Sequence, residues 1–178
     1  PAQLNPKTAK KSLVKVMVTG NGEAGVCSGF IWKQKNWVVT SLHAMKQGAT
    51  IRIQYLDQYW REGEISRVYK DADLVLIEVK GSIPGGAVPI SGYDEKKIPY
   101  QTNIHTIGYN NGAKGSSSRL LTKGFADPEI LDSFIPKKDK DEIAKAGFPS
   151  LNLEIIYLDG SLLPGYSGSP VFDKDGDL

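Results

Sequence analysis

Apolar residues along the chain fall into short runs alternating with polar positions, the period of two expected of half-buried strands. Residues 12–19 set Leu13, Val14, Val16, Met17 and Val18 between lysines and close on Gly20-Asn21-Gly22, a strand followed by a turn. Gly29-Phe30-Ile31-Trp32 predicts a second short strand. Residues 33–36 form a polar turn, and Trp37-Val38-Val39-Thr40, aromatic and β-branched, predicts a third strand that makes a hairpin with the second. Residues 51–56 alternate Ile51, Ile53 and Tyr55 with Arg52 and Gln54, and residues 64–69 alternate less cleanly. Residues 74–79 are almost wholly apolar, as a strand buried on both faces should be.

The pattern breaks over residues 81–92, where Pro84, Gly85, Gly86 and Pro89 cluster. It resumes at Ile104-His105-Thr106-Ile107, followed by a loop over 108–118 and strands at 120–125 and 151–158. Residues 81–98 therefore read as a linker between two β halves, 12–80 and 99–178. Many short strands with Gly/Pro turns predict an all-β fold, a barrel or a sandwich. One stretch departs from this: Asp139 followed three residues later by Glu142 has the form of a capping box, and Gly147 supplies an end, so residues 140–146 predict a two-turn helix. Such a helix cannot stand alone. Its Ile143 and Ala146 must pack on something, within a surface insertion at 125–150.

Composition narrows the function classes. A chain of 178 residues allows one compact domain or two tightly packed halves, and 40% apolar with 24% charged residues excludes disorder and collagen. The net charge of +2 gives no field that argues for nucleic acid or an anionic membrane. No apolar run approaches the roughly 18 residues of a membrane-spanning helix. Cys27 is the one cysteine, so there is no internal disulfide and no zinc spacing, and with His43 and His105 the only histidines a polyhistidine metal site is not expected. No cofactor is expected.

Candidate chemistry begins at Pro164-Gly165-Tyr166-Ser167-Gly168-Ser169-Pro170-Val171. Flanking glycines allow a sharp turn that exposes the Ser167 hydroxyl and can aim the N–H groups of Gly165 and Ser167 at one point, an oxyanion site. A plain Gly/Ser/Pro hairpin reads equally well from these residues alone. A serine nucleophile needs a base. His43, at the end of an apolar strand and before the small Ala44, is the better candidate; His105, inside an alternating run, reads as a strand histidine satisfied by its neighbours. The base needs a carboxylate to fix its tautomer. Asp73 stands at the mouth of an apolar strand, an unusual place for a charge without a partner. Asp71 ranks behind it as a solvated turn residue, and Asp57 belongs to a polar hairpin.

The order His43, Asp73, Ser167 carries a family resemblance. Ser28-Gly29-Phe30-Ile31, residues 37–44, Asp73-Leu74-Val75-Leu76-Ile77 and Gly165-Tyr166-Ser167-Gly168-Ser169-Pro170-Val171 resemble the four signatures of trypsin/chymotrypsin-like serine peptidases. Ile107-Gly108-Tyr109-Asn110 resembles a segment of the bacterial HtrA-like branch. The resemblance implies two packed antiparallel β barrels with the active site between them, His43 and Asp73 from the first, Ser167 from the second, and the linker crossing behind the site. It implies a serine endopeptidase acting on protein or peptide substrates through an acyl-enzyme.

Three departures matter. Tyr166 occupies the position where trypsin-like zymogens carry an aspartate that pairs with a freshly cut N-terminus, so that activation is not expected. Ser169 replaces a glycine. The chain ends soon after Ser167, where the family continues with further strands and a helix, so the second barrel is expected to be incomplete at its C-terminus. Ser161, six positions before Ser167, is expected at the floor of the substrate pocket, which argues for a small or medium apolar side chain rather than Lys or Arg. The 125–150 insertion is placed over the cleft or over a barrel end. The alternative function is a catalytically silent fold that binds a peptide or protein. A chain opening at Pro1 fits an exported mature form, so a periplasmic or secreted location is expected over a cytoplasmic one; the oligomeric state is not legible.

Overall fold

The computed structural model describes residues 9–46, 48–93, 98–110, 113–124, 129–173, 176 and 178. The predicted strand end at Phe125, residues 94–97 of the linker and the start of the 125–150 insertion lie outside them.

Six strands close into a barrel: β1 (Leu13–Gly20), β2 (Glu23–Ile31), β3 (Trp37–Ser41), β4 (Thr50–Gln54), β5 (Trp60–Tyr69) and β6 (Leu74–Val79). Their order is β1-β2-β3-β6-β5-β4, and β4 pairs back onto β1. Closure removes free strand edges. Alternate residues point inward, so Val14, Val16 and Val18 from β1 meet Val38, Ile51, Ile53, Val75, Ile77 and Val79 in one core. β2 is twice the predicted length. Its Glu23–Ser28 half carries no clear alternating pattern, yet β1 pairs with it in unbroken register from Leu13 opposite Phe30 to Gly20 opposite Glu23. The turn is Asn21-Gly22, both at positive φ (52° and 78°), the conformation that matches the twist of a two-residue hairpin. β5 likewise starts before residue 64, because β4 supplies its hydrogen-bond partners from Trp60 onward.

The second half is an open sheet in the order β11-β8-β7-β12, built from β7 (Asn103–Tyr109), β8 (Ser116–Lys123), β11 (Leu158–Asp159) and β12 (Val171–Phe172). A two-stranded sheet of β9 (Glu129–Ile130) and β10 (Glu154–Ile155) flanks it. The loop read over 108–118 is shorter than expected, since Gly108 and Tyr109 pair with Ser117 and Ser116 across a hairpin. The single strand read over 151–158 is instead two dipeptides, one paired to β9 and the other to β8.

Helix α1 (Lys137–Ala146) begins ahead of the predicted 140–146, at Pro136 rather than at a capping box. The Pro136 carbonyl accepts the N–H groups of Asp139 and Lys140 at 3.0 and 3.1 Å, while Asp139 falls in the first turn, where the helix dipole favours an acid. It ends at Gly147 in the left-handed region (φ 80°), as read. The expected packing of Ile143 and Ala146 is only partial: no residue of α1 is fully buried, Ile143 being half-buried and Ala146 exposed. Its ends tether it instead, through Lys140 on Asp132 at 3.1 Å and through the Ser150 N–H on the Asp71 carbonyl at 3.1 Å. That second bond lays the insertion beside the turn leading into β6.

A second apolar cluster joins the halves. Leu13 from β1 and Ile90 from the connecting segment pack with Ile107 and Tyr109 of β7 and Phe172 of β12. The connecting segment follows the barrel wall, Ile90 bonding Ile31 and Lys33 through main-chain groups at 2.8 Å each. Among the described residues no helix is long and apolar enough to cross a membrane.

Candidate active site

Strand register alone brings the first two residues together. β3 and β6 are antiparallel, from Trp37 opposite Glu78 to Ser41 opposite Leu74. The residues just past the end of β3 must therefore lie beside those just before β6. The Leu42 N–H continues the ladder onto the Asp73 carbonyl at 3.0 Å. His43 then sits in a short 3-10 turn, Leu42–Ala44, and Asp73 caps another, Lys70–Ala72, in the left-handed region (φ 56°, ψ 40°) that aspartate tolerates.

The Asp73 carboxylate grips His43 twice. Oδ1 accepts the His43 backbone N–H at 2.8 Å, and Oδ2 lies 2.6 Å from Nδ1. A carboxylate only accepts, so this geometry assigns the ring proton to Nδ1 and leaves Nε2 with its lone pair. The imidazole side chain is 53% exposed and the carboxylate 21%, so the acid is shielded while the base stays accessible.

Ser167 is exposed on a turn of the second half. Its main chain is docked on the first barrel: the Ser28 N–H donates to the Ser167 carbonyl at 3.0 Å, and Ser28 Oγ donates to the Gly165 carbonyl at 2.8 Å. Gly168, at φ 85°, lies so close to β2 and β3 that a Cβ there would run into the Ser28 carbonyl oxygen and Thr40 Oγ1. Thr40 is in β3, three residues before His43. The Ser169 N–H binds the Tyr166 carbonyl at 2.9 Å, which turns the N–H of the same peptide, that of Ser167, the opposite way. Among the described residues neither the Gly165 nor the Ser167 N–H has an acceptor, and no hydrogen bond joins Ser167 Oγ to His43.

The remaining candidates have other surroundings. Ser161 is exposed between β11 and the turn. His105 sits in β7, opposite Leu120 and Phe172. Asp57 is held by Arg61 through two bonds of 2.7 and 3.0 Å, which keep its carboxyl below the usual carboxylate range. Burial pushes the Cys27 thiol up, and it contacts Thr40 Oγ1 at 3.5 Å; a thiol kept protonated is a poor nucleophile. Among the described residues no three His, Cys, Asp or Glu side chains could together hold a metal.

Sequence reasoning gave no role to Ser28, Thr40 or Gly108. Their signal was small polar or glycine residues inside otherwise apolar strands, where a side chain needs a specific partner.

Comparison with known proteins fits this arrangement. The family described as trypsin-like peptidase domain matches residues 27–178. The chain belongs to that family. Among curated proteins, this trypsin-like domain is similar to Protease Do-like 1, chloroplastic, of Arabidopsis thaliana, 21% identical over 154 residues. The match covers 86% of this chain and 32% of that protein, so the chain spans about a third of its relative's length. Among solved structures it shares its fold with the Rv3671c protease of M. tuberculosis. The active form superposes at a TM-score of 0.76 with 16% identity, covering 99% of this chain and 75% of that one. The inactive form gives 0.72 at 16% identity, covering 99% and 82%. The all-β barrel architecture expected of a trypsin-like domain is thus present, with one closed barrel and one open, curled sheet.

Proposed function

We propose that the chain is the catalytic domain of a serine endopeptidase with His43 as base, Asp73 as its orienting acid and Ser167 as nucleophile. The observation that carries this reading is the double grip of Asp73 on His43, at 2.8 and 2.6 Å, which presents a basic Nε2 at an accessible ring edge. His43 Nε2 takes the Ser167 hydroxyl proton as Oγ bonds to the scissile carbonyl carbon. The oxyanion is held by the N–H groups of Gly165 and Ser167. Collapse breaks the C–N bond, the proton passes from His43 to the leaving amine, and water then hydrolyses the acyl-enzyme by the same exchange. Substrates are proteins or peptides, and Ser161 favours a small or medium apolar side chain at the cleavage site. Catalytic hydrogen bonds are commonly long before substrate binds, so the open Ser167–His43 pair is compatible with this chemistry.

The same open pair is what favours a second reading, a silent peptide-binding domain. An active-site-directed fluorophosphonate separates the two. Labelling of Ser167 that disappears in His43→Ala supports the peptidase, and Ser167→Ala should lower kcat by about a millionfold. A folded chain that takes no label is a binding domain.

A further inference from the structure

We propose that Tyr166 is a positioning residue, its buried phenol fastening the 165–168 turn to β8 through Ser117. For its effect on rate this rests on the peptidase reading above. Tyr166 is 5% exposed although both of its neighbours in the turn, Gly165 and Ser167, are more open. Its side chain therefore plunges into the second sheet while that of Ser167 faces out. The phenol O–H donates to the Ser117 carbonyl at 2.7 Å, and with that proton committed, the Ser117 hydroxyl donates to the phenol oxygen.

Gly108 makes this reach possible. It pairs with Ser117 across the β7–β8 hairpin, so the ring must cross β7 at residue 108 to meet β8. A Cβ on Gly108 would stand 3.0 and 3.1 Å from two ring carbons of Tyr166 and would collide with Ser169 Oγ. Ser169 Oγ is itself buried without a hydrogen-bond partner, packed close to Gly108. The turn is thus tied to the first barrel by its carbonyls on Ser28, and to the second sheet by the Tyr166 ring and hydroxyl and, just beyond it, by Thr106 Oγ1 donating to the Pro170 carbonyl at 2.9 Å. Loss of the Tyr166 bonds loosens the placement of the Gly165 and Ser167 N–H groups, because glycines at 165 and 168 (φ 98° and 85°) flank them with adaptable backbone.

Tyr166→Phe keeps the ring and deletes only the hydroxyl. In the full chain we expect exchange of the hydrogen-bonded N–H groups at positions 166 and 169 to accelerate at least about tenfold with the first barrel unchanged. Fluorophosphonate labelling should slow by about tenfold, and kcat on a peptide ester should fall by a similar factor with KM within about twofold. Equal exchange in the two proteins overturns the anchor. Faster exchange with an unchanged labelling rate overturns the positioning role. Exchange reads the anchor whether or not the serine reacts: loss of protection in Tyr166→Phe, in a chain whose wild type takes no label, overturns the peptidase reading and leaves the anchor standing. Should Tyr166→Phe lose its thermal transition, Ser117→Ala, which removes one of the two hydroxyl bonds, carries the same comparison.

Discussion

Replacing Gly168 by alanine tests whether the turn bearing Ser167 is seated by close packing on the first barrel. A Cβ at this position has nowhere to go. One obstacle is the Ser28 carbonyl, which is β2 main chain and accepts Thr40 Oγ1 at 2.7 Å; its carbon would lie 3.2 Å from the new atom. The other is Thr40 Oγ1, on a fully buried side chain. A non-glycine residue at φ 85° costs about 1–2 kcal/mol. Overpacking against atoms that cannot move adds about 1–3 kcal/mol, so the two together destabilise the docked state by about 2–5 kcal/mol. At about 2–4 °C per kcal/mol for a chain of this length, the thermal midpoint should fall by about 4–20 °C. The fall will be smaller if the turn lifts away and leaves the barrel folded, but then fluorophosphonate labelling of Ser167 should drop by about a hundredfold, the cost of an ångström-scale misplacement. Gly25→Ala in β2 is the matched control, because its Cβ would meet nothing within 4 Å at an ordinary φ; its stability should change by less than about 0.5 kcal/mol. Circular dichroism melts and labelling time courses on both variants decide the matter. A Gly168→Ala protein that melts and labels like Gly25→Ala would refute the seating of the turn on Ser28 and Thr40.

Asp73→Asn preserves shape and the left-handed backbone but puts an amide where Nδ1 needs an acceptor, so kcat on a peptide ester should fall by about 10⁴-fold; a loss under tenfold would remove Asp73 from the mechanism. The Cys27 thiol, buried and raised in pKa, should react with an aromatic disulfide reagent at least about a hundredfold more slowly in the native protein than in urea, and equal rates would mean the barrel interior is open. Asp57 titrates below the usual carboxylate range because Arg61 binds its ionised form, so the pair stabilises the fold above the unfolded carboxyl pKa and loses that contribution as pH falls through the folded one. The stability gap between wild type and Asp57→Asn in urea unfolding should be under about 1 kcal/mol at pH 7, as for a partly exposed pair, and should narrow toward about pH 3.

The strands that were legible are those whose own side chains alternate or run apolar. β6 matches its predicted span to the residue, and β1 and β3 to within one or two. The exposed Glu23–Gly25 start of β2 and the serines opening β8 were not, because their place in a sheet comes from a partner's hydrogen bonds and not from anything their side chains bury. α1 was found from Gly147, while its start was misplaced because lysines at 137 and 138 give no capping signal. In the site, Asp73 could be singled out as a charge at the mouth of an apolar strand. Its partner His43 was legible at the end of an apolar strand, before the small Ala44, and the register of β3 with β6 explains why they meet. Ser28 was quoted only as part of a motif: its small polar side chain beside apolar strand residues signals a need for a partner, but nothing local names the turn it ties to the first barrel.

That serine separates the two parts of the site in kind. Its N–H, carbonyl and hydroxyl are all engaged, the hydroxyl giving its proton to Gly165 and receiving the Tyr109 N–H at 2.9 Å, so a fully buried polar residue leaves no group unpaired. Any displacement of the turn or of β7 strands at least one of these groups away from water, at a cost of about 1–3 kcal/mol each. The Ser167 turn is therefore held in one place, but only while the second sheet is docked. The His43–Asp73 pair carries no such dependence, since both residues hang from adjacent strands of one closed barrel. Loosening the contact between the halves must then separate Ser167 from His43 while leaving the His43–Asp73 pair intact. The order of failure follows from the topology: in the proposed peptidase, hydrolysis and serine labelling should go first, and the imidazole–carboxylate pair should persist until the first barrel itself unfolds.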